Sequence, residues 1–528
     1  MEPALIDFDI LIVGSGPSAL AAIRQLPKGL RVLVLDRGHT IPDSVLDIQN
    51  RYRNVQKLYT EKVKSSNENF PFLTDKNSDR LKAYWGSEFP YLTSELGPPY
   101  ESKSQGGFTS VWGATCFPPT RKMLNKLDTA TLTEFTMAQS ELEEFIDVSW
   151  SGSNADCYNP CQTRNNLLCN GSMFEGNIPA TGEKSTSKGK IYWETSRLAV
   201  STLNQIKQKY PEAGCLNCGQ CQSGCPFGLV WNSWFDFKEE LLRLGATYLK
   251  ANLNSAKDLG DFVQVDYQDT KMMSSVMVKR VFLTGGPLST SRILIRSGIV
   301  NELHLIDSQT SMVMGLSLRK KLLMRKERNV SFPDTSFLYV NQDYELTLQS
   351  YAFSPYILSR LLQPPLARTK ILQKIAKVLQ KFIFVGLLYF DSSVSGRLNL
   401  DSLGRIKFVK GNNFLQKKIF KDFRREMKKF GLHFIPKVIS LPVGGGYHTM
   451  GKFFPSNYWI NEKTLEDQGM IKLSRLATFH GAERIHLLDS SILGHLPTGS
   501  VTLSSMATTT TLVKRILSDN AIGDLGIQ

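Results

Sequence analysis

Four cysteines, Cys215, Cys218, Cys221 and Cys225, stand in the run CLNCGQCQSGCPFG with the spacing C-x2-C-x2-C-x3-C-P. That rhythm belongs to bacterial ferredoxin loops, where short gaps wrap thiolates around one face of an iron-sulfur cluster. Gly219 and Gly224 tolerate the left-handed turns such a wrap needs. In ferredoxins the cysteine before the proline serves a different cluster, so Cys157, Cys161 and Cys169 are candidate remote ligands. Zinc on the same thiols, or thiols packed without a metal, are the alternatives. All eight cysteines lie between positions 116 and 225, which suits a localised thiol site better than a disulfide framework. Cys116 stands apart from the run and reads as a packing residue.

A second kind of chemistry opens the chain. DILIVGSGPSALAAIRQL predicts a buried strand from Asp9 to Val13, a tight glycine turn and a helix. Gly14 permits the turn, Gly16 lets backbone approach a pyrophosphate, and Ala19 allows close packing of helix on strand. The helix start, with Ser15, Pro17 and Ser18, would aim unpaired N–H groups and a positive dipole end at phosphate. RVLVLD then predicts a second strand ending at Asp36, which with Arg37 would serve the ribose end. A pyridine-nucleotide disulfide reductase would use two such units. One unit at the amino end favours FAD over NAD, because PVGGGYHTMG is expected to have neither a long strand before it nor a helix after it.

Four further stretches, taken in order, resemble the glucose-methanol-choline (GMC) oxidoreductases, FAD enzymes. SQGGFTSVWGATC (104–116), with Gly106 and Gly107, looks like their glycine-rich flavin loop. VFLTGGPLSTSRILIRSG (281–298) looks like their strand, turn and helix, with Gly285 and Gly286 beside the cofactor. GGGYHTMG (444–451) looks like the segment of their catalytic histidine, here His448. Residues 485–517 look like the closing strand, turn and helix, with Asp489 and Ser490 near the ribityl and phosphate portion. The chemistry agrees with the resemblance, since alcohol oxidation needs a base for the hydroxyl proton and an imidazole titrates near neutrality. One departure stands out: Gly499 or Ser500 occupies the place of the family's second His or Asn, with His495 and Thr498 nearby. Some relatives also carry a cysteine cluster followed by CP, which CPFGLVWN resembles. The resemblance implies a dehydrogenase that takes hydride from a sugar, polyol or other small alcohol and passes electrons through an iron-sulfur cluster to a quinone, a cytochrome or another redox protein. The alternatives are a flavoprotein acting as a membrane-associated scaffold and an NAD-dependent oxidoreductase.

These groups need an α/β framework: an FAD-binding Rossmann-like domain of GMC type with an interleaved α+β substrate or cap domain. The expected pieces are 1–130, 236–300 and 436–528 for the FAD-binding domain, 131–235 for an insertion bearing the cysteines, and 301–435 for the cap. With 528 residues, more than one core is the prior. FVGLLYFDSSVSGRLNL predicts two strands and a turn behind the active site. LARTKILQKIAKVLQKF predicts an amphipathic helix, either packed on the core or lying on an anionic leaflet. RKKLLMRKER and KDFRREMKK add to a net charge of +15, which favours an anionic partner. No nucleic-acid motif accompanies that charge, so nucleic acid is not expected. The N-terminus reads as no secretory signal, and FIFVGLLYF is far shorter than the roughly 20 residues that span a bilayer. The expected location is therefore cytoplasmic, with peripheral contact on the inner face of the membrane.

Overall fold

The computed structural model describes residues 7–38, 91–94, 97–102, 104–110, 112–117, 119, 121–125, 127–146, 148–150, 182–186, 189–199, 230–269, 272–317, 333–341, 343–352, 383–428, 432–441, 443–444, 448–456 and 470–519. Its opening unit is β1 (Phe8–Val13), α1 (Pro17–Gln25) and β2 (Val32–Leu35). Further along come α2 (Ser233–Leu244), β3 (Thr247–Leu249), β4 (Asn252–Asp258), β5 (Val263–Gln268), β6 (Met273–Leu283) and α3 (Pro287–Arg296). The chain returns at its end with β7 (Ile485–Leu487) and α4 (Thr502–Ser518).

These strands form one sheet in the order β4-β5-β6-β1-β2-β3. β1 runs parallel to both β2 and β6, and β2 runs parallel to β3. The long β6 serves two neighbours on one side: β5 is antiparallel along its first part, and β7 is parallel along Val281–Leu283. Buried on both faces, β1 and β2 read as continuous apolar runs, the pattern of a covered parallel sheet. α4 packs against α1, and Ser18 Oγ meets Ser505 Oγ at 2.8 Å between them. From Leu503 to Val513 every residue of α4 is buried. The Thr509 and Thr511 hydroxyls donate to the carbonyls of Ser505 and Ala507 at 2.9 and 3.0 Å, whereas those of Thr508 and Thr510 are buried with no hydrogen-bond partner among the described residues.

A second sheet is antiparallel and seven-stranded, in the order Leu432–Ser440, Thr310–Ser317, Ile383–Phe390, Glu345–Ala352, Pro333–Val340, Gly189–Thr195, Gly182–Thr186. Gly189–Thr195, from the stretch expected as an insertion, is therefore paired with Pro333–Val340 of the expected cap, and Gly182–Thr186 pairs with it in turn. One face of this sheet, with Phe337, Leu346, Leu348, Leu388 and Phe390, buries Ile419, Phe420, Phe423 and Met427 of helix Asn413–Lys428 in a core of its own. FVGLLYFDSSVSGRLNL does hold two strands, but they part company: Ile383–Phe390 is central in the seven-stranded sheet, while Arg397–Leu400 belongs to a four-stranded one. PVGGGYHTMG is preceded by the nine-residue strand Leu432–Ser440, which corrects the expectation that no long strand stands there. That strand is the edge of an antiparallel sheet, so it does not feed a nucleotide turn.

Candidate active site

Three glycine segments far apart in sequence meet at the carboxyl ends of β1 and β6. Gly14 has φ +96°, and a Cβ there would sit 3.2 Å from Gly285 Cα, so the two turns lie backbone against backbone. A Cβ on Gly107 would sit 3.3 Å from Gly16 Cα, which brings in the loop at 104–110. The Gly106 N–H donates to Ser15 Oγ at 3.0 Å and fixes that loop on the turn. α1 and α3 start alike: Gly16 and Gly286 are the N-caps, Pro17 and Pro287 follow, and no side chain caps either helix. A Cβ on Gly286 would meet nothing within 4 Å, so open space borders the start of α3. Two helix N-termini without side-chain caps, one of them bordered by open space, fit the pyrophosphate of a dinucleotide.

At the end of β2, Asp36 is buried, and burial raises its carboxyl above the usual range. Three protein donors oppose that rise: the Ser15 hydroxyl, the Gly38 N–H at 2.8 Å and the Tyr248 hydroxyl at 3.3 Å. Gln105 Nε2 donates to Tyr248 at 2.9 Å and completes a network that no local motif announced. Asp36 thus knits the turn, the flavin-like loop and β3 together. Arg37 points elsewhere, pairing with Glu101 at 2.9 Å, which Arg292 also meets at 2.6 Å. A cavity of about 130 Å³ opens between Arg37, Glu101, Asn252, Ser289 and Arg292.

Asp489 and Ser490 join this cleft to the histidine. Asp489 is buried, takes the N–H of Gly286, and accepts from Thr290 Oγ1 at 2.5 Å and Ser491 N at 2.9 Å. Ser490 Oγ donates to the carbonyl of Thr449 at 3.0 Å, one residue past His448. The His448 carbonyl accepts from Ser308 N at 2.8 Å. Its ring stacks on Tyr389 with centroids 5.6 Å apart and planes 23° from parallel. Burial alone lowers the imidazole to about 4, so it is neutral at physiological pH, and its Nδ1 is buried with no hydrogen-bond partner among the described residues. His486 makes the contrast: burial, first of its causes, lowers it to about 3, but one ring nitrogen meets the Leu476 carbonyl at 2.9 Å and the other Arg280 Nη1 at 3.2 Å. A histidine with both nitrogens engaged inside the sheet is a packing residue.

The face of the seven-stranded sheet opposite its core carries Tyr389 and, directly across the ladder, Thr347. Glu345, Thr347, Gln349 and Asp391 are all buried. Thr347 Oγ1 donates to Thr498 Oγ1 at 2.8 Å, and Ser392 Oγ lies 3.2 Å from His495 Nδ1. Glu345, Asp391 and His495 bring one ligating atom each within 4.8 Å of one another. Gly499 cannot host a side chain, since a Cβ would strike the Phe117 ring at 2.7 Å, and Ser500 turns its hydroxyl to Thr502 at 3.3 Å. His495 is thus the ionisable side chain of this loop that lies among carboxylates, a setting that sequence spacing did not reveal.

Cys215, Cys218, Cys221 and Cys225 lie outside the described residues, as do the helix expected over LARTKILQKIAKVLQKF, all of RKKLLMRKER and Gly445 to Tyr447. Cys116 is buried, which pushes its thiol up to about 12 and suits packing. Among the described residues no helix is long and apolar enough to cross a membrane.

No family model matches the chain, and no curated protein matches it. Among solved structures it is similar to pyridoxine 4-oxidase from Mesorbium loti, with 12% identity over 96% of this chain and 99% of that one, at a TM-score of 0.57. At that identity the likeness is one of fold: a mixed α/β architecture with one sheet of parallel and antiparallel strands and one that is antiparallel throughout.

Proposed function

We propose that the chain is an FAD-dependent oxidoreductase of the GMC type that oxidises a hydroxyl group. The carrying observation is the bridge made by two consecutive residues: Asp489 holds the glycine turn at Gly286, and Ser490 holds the strand that starts beside a neutral, half-buried His448. The cradle fits a dinucleotide, with Gly14, Ser15, Gly16, Pro17, Ser18, Gly106, Gly107, Gly285 and Gly286 around the pyrophosphate and the cavity beside Arg37 at the adenosine end. When bound, the flavin supplies the hydride acceptor. His448 accepts the hydroxyl proton, and Tyr389 fixes the plane of its ring. The likeness to an enzyme named for oxidation supports this reading at the level of fold.

The substrate we favour is polyhydroxylic, a sugar or polyol, because the sheet face beside His448 presents Glu345, Thr347, Gln349 and Asp391 where a hydrocarbon wall would be cheaper to bury. Purified protein is expected to be yellow and to bleach anaerobically with a member of a sugar and polyol panel. A colourless preparation turning over nicotinamide would replace this reading with the NAD-dependent one, and a yellow protein inert to the whole panel would favour a scaffold. His495→Ala is expected to slow substrate-driven bleaching by about 100-fold with flavin retained, the low end for loss of an acid-base group. Bleaching at the native rate would remove His495 from proton handling.

The thiol spacing supports an iron-sulfur cluster as the exit for electrons, and hence a dehydrogenase. Iron analysis and low-temperature electron paramagnetic resonance test that proposal, and zinc without iron would end it.

A further inference from the structure

The stretch 401–421 carries six cations, Arg405, Lys407, Lys410, Lys417, Lys418 and Lys421, against the single carboxylate of Asp401, which pairs with Arg405 at 2.7 Å. Interleaved with them are four large apolar side chains turned to solvent: Leu403 is 73% exposed, Phe408 42%, Val409 38% and Phe414 80%. Folding normally hides such residues, and scattered single exceptions mean little. Here they fall within twelve consecutive positions.

The local structure explains why they cannot turn inward. Strand Ile406–Val409 is the outermost of its sheet, paired to Arg397–Leu400, and Leu403 sits at the turn between them. Lysines on an edge strand are ordinary protection against pairing with another chain. That protection accounts for Lys407 but not for bare Phe408 and Val409. Three residues on, Asn412 caps helix Asn413–Lys428, its Oδ1 accepting from Leu415 N at 3.0 Å. Gln416 is buried and bolts the first turn down, donating to the Val394 carbonyl at 2.8 Å and Gln309 Oε1 at 3.1 Å. Phe414 is therefore displayed by a rigid turn that holds no acidic residue and is followed by Lys417 and Lys418. Phe414, Lys417, Lys418 and Lys421 recur at i, i+3, i+4 and i+7 and so share the solvent face of the helix, and the chain from Val409 to Phe414 can span no more than about 18 Å, which keeps the strand edge close to that face.

We propose that this patch docks the protein on an anionic lipid surface, with Phe414, Leu403 and Phe408 entering the interface and the lysines facing headgroups. Charge complementarity selects that occupant: an apolar surface rimmed by lysines gains from insertion and from an anionic leaflet together. It lies on the far side of helix Asn413–Lys428 from the core contacts of Ile419 and Phe423, outside the flavin cradle and the histidine site, so it stands independently of the proposed reaction.

Co-sedimentation with vesicles of phosphatidylcholine alone, or with about one third phosphatidylglycerol, tests it on the full chain. Binding is expected to the anionic vesicles only, and to fall steeply when salt rises from about 0.1 to 0.5 M, as the screening length shortens. Phe414→Ser and the pair Lys417→Glu with Lys418→Glu are each expected to weaken it, about fivefold or more per lysine, at unchanged flavin content and thermal midpoint. No binding to anionic vesicles, equal binding to neutral ones, or variants that bind like the native chain would each overturn the proposal. A patch-dependent dimer without vesicle binding would also overturn it and assign the face to a second copy.

Discussion

Replacing His448 with Ala is expected to slow flavin reduction by substrate between 100-fold and 10,000-fold while the flavin stays bound, equivalent to about 3–5 kcal/mol of barrier. Retention follows because the cradle is built largely from backbone, and among the described residues the histidine segment is tied to it by the Ser490 contact to the Thr449 carbonyl, which His448→Ala leaves in place. The pH profile carries a second expectation. Burial depresses the imidazole from 6.5 to about 4, so the neutral base persists below pH 6 and the rate should fall only as pH approaches 4. The effect on stability has the same direction. Between those two values the unfolded chain binds the proton and the folded chain does not, so stability is fully present above about 6.5 and is lost as pH falls through the window. His486 adds to the loss and extends it toward pH 3, without any part in the reaction. Rapid-mixing measurements of bleaching against pH, in native protein and variant, check these points. Unchanged reduction in His448→Ala would take the residue out of its role, and an inflection near 6.5 would mean that the site is wetter than its burial implies.

The parts of this site legible in the sequence are those in which chemistry and position are local. DILIVGSGPSALAAIRQL states strand, turn and helix within eighteen residues, and the structure has each of them. The second strand and the strand and helix around Gly285 and Gly286 are likewise found in place, because continuous apolar runs leave no freedom about which face is covered. The network around Asp36 was hidden for the opposite reason. Tyr248 and Gln105 reach it from segments whose pairing only the folded sheet specifies. Glu345 and Asp391 were harder still. ELTLQSYA alternates polar and apolar residues as a strand with one wet face does, yet both faces are buried: Leu346 and Leu348 toward the helical core, and Glu345, Thr347 and Gln349 toward the loop of Thr498. Alternation reports two different environments, and nothing in it says that the polar one is water. The same limit applies to the strand before His448, where Pro436 and Lys437 broke the apolar run and the ladder shifts register beside them without ending the strand.

Gly106→Ala is expected to abolish flavin retention and to destabilise the fold by about 2–3 kcal/mol, more than a methyl group on a surface loop would suggest. Gly106 has φ +79°, a conformation that costs alanine about 1 kcal/mol or more. Its added carbon would also overlap Asn232 Oδ1 and press on Trp234 Cβ at 3.2 Å. Asn232 is the cap of α2, accepting from Trp234 N at 3.0 Å, so relief of the overlap requires loss of that cap, worth about 1 kcal/mol. The same peptide holds the loop on both sides: its N–H donates to Ser15 Oγ, and its carbonyl accepts from Thr109 Oγ1 at 2.6 Å and Ser233 Oγ at 3.0 Å. Any shift that makes room therefore pulls Ser15 away from Asp36 and opens the cradle at its floor. Gly29→Ala isolates the backbone contribution, because Gly29 has φ +94° with nothing within 4 Å of a Cβ and lies in the connection before β2, at the opposite end of that strand from the cradle. It should lower the thermal midpoint modestly and leave the yellow colour intact. If Gly106→Ala keeps its flavin while matching Gly29→Ala in stability, the loop at 104–110 does not form the floor of the cofactor site, and the proposed cradle fails with it.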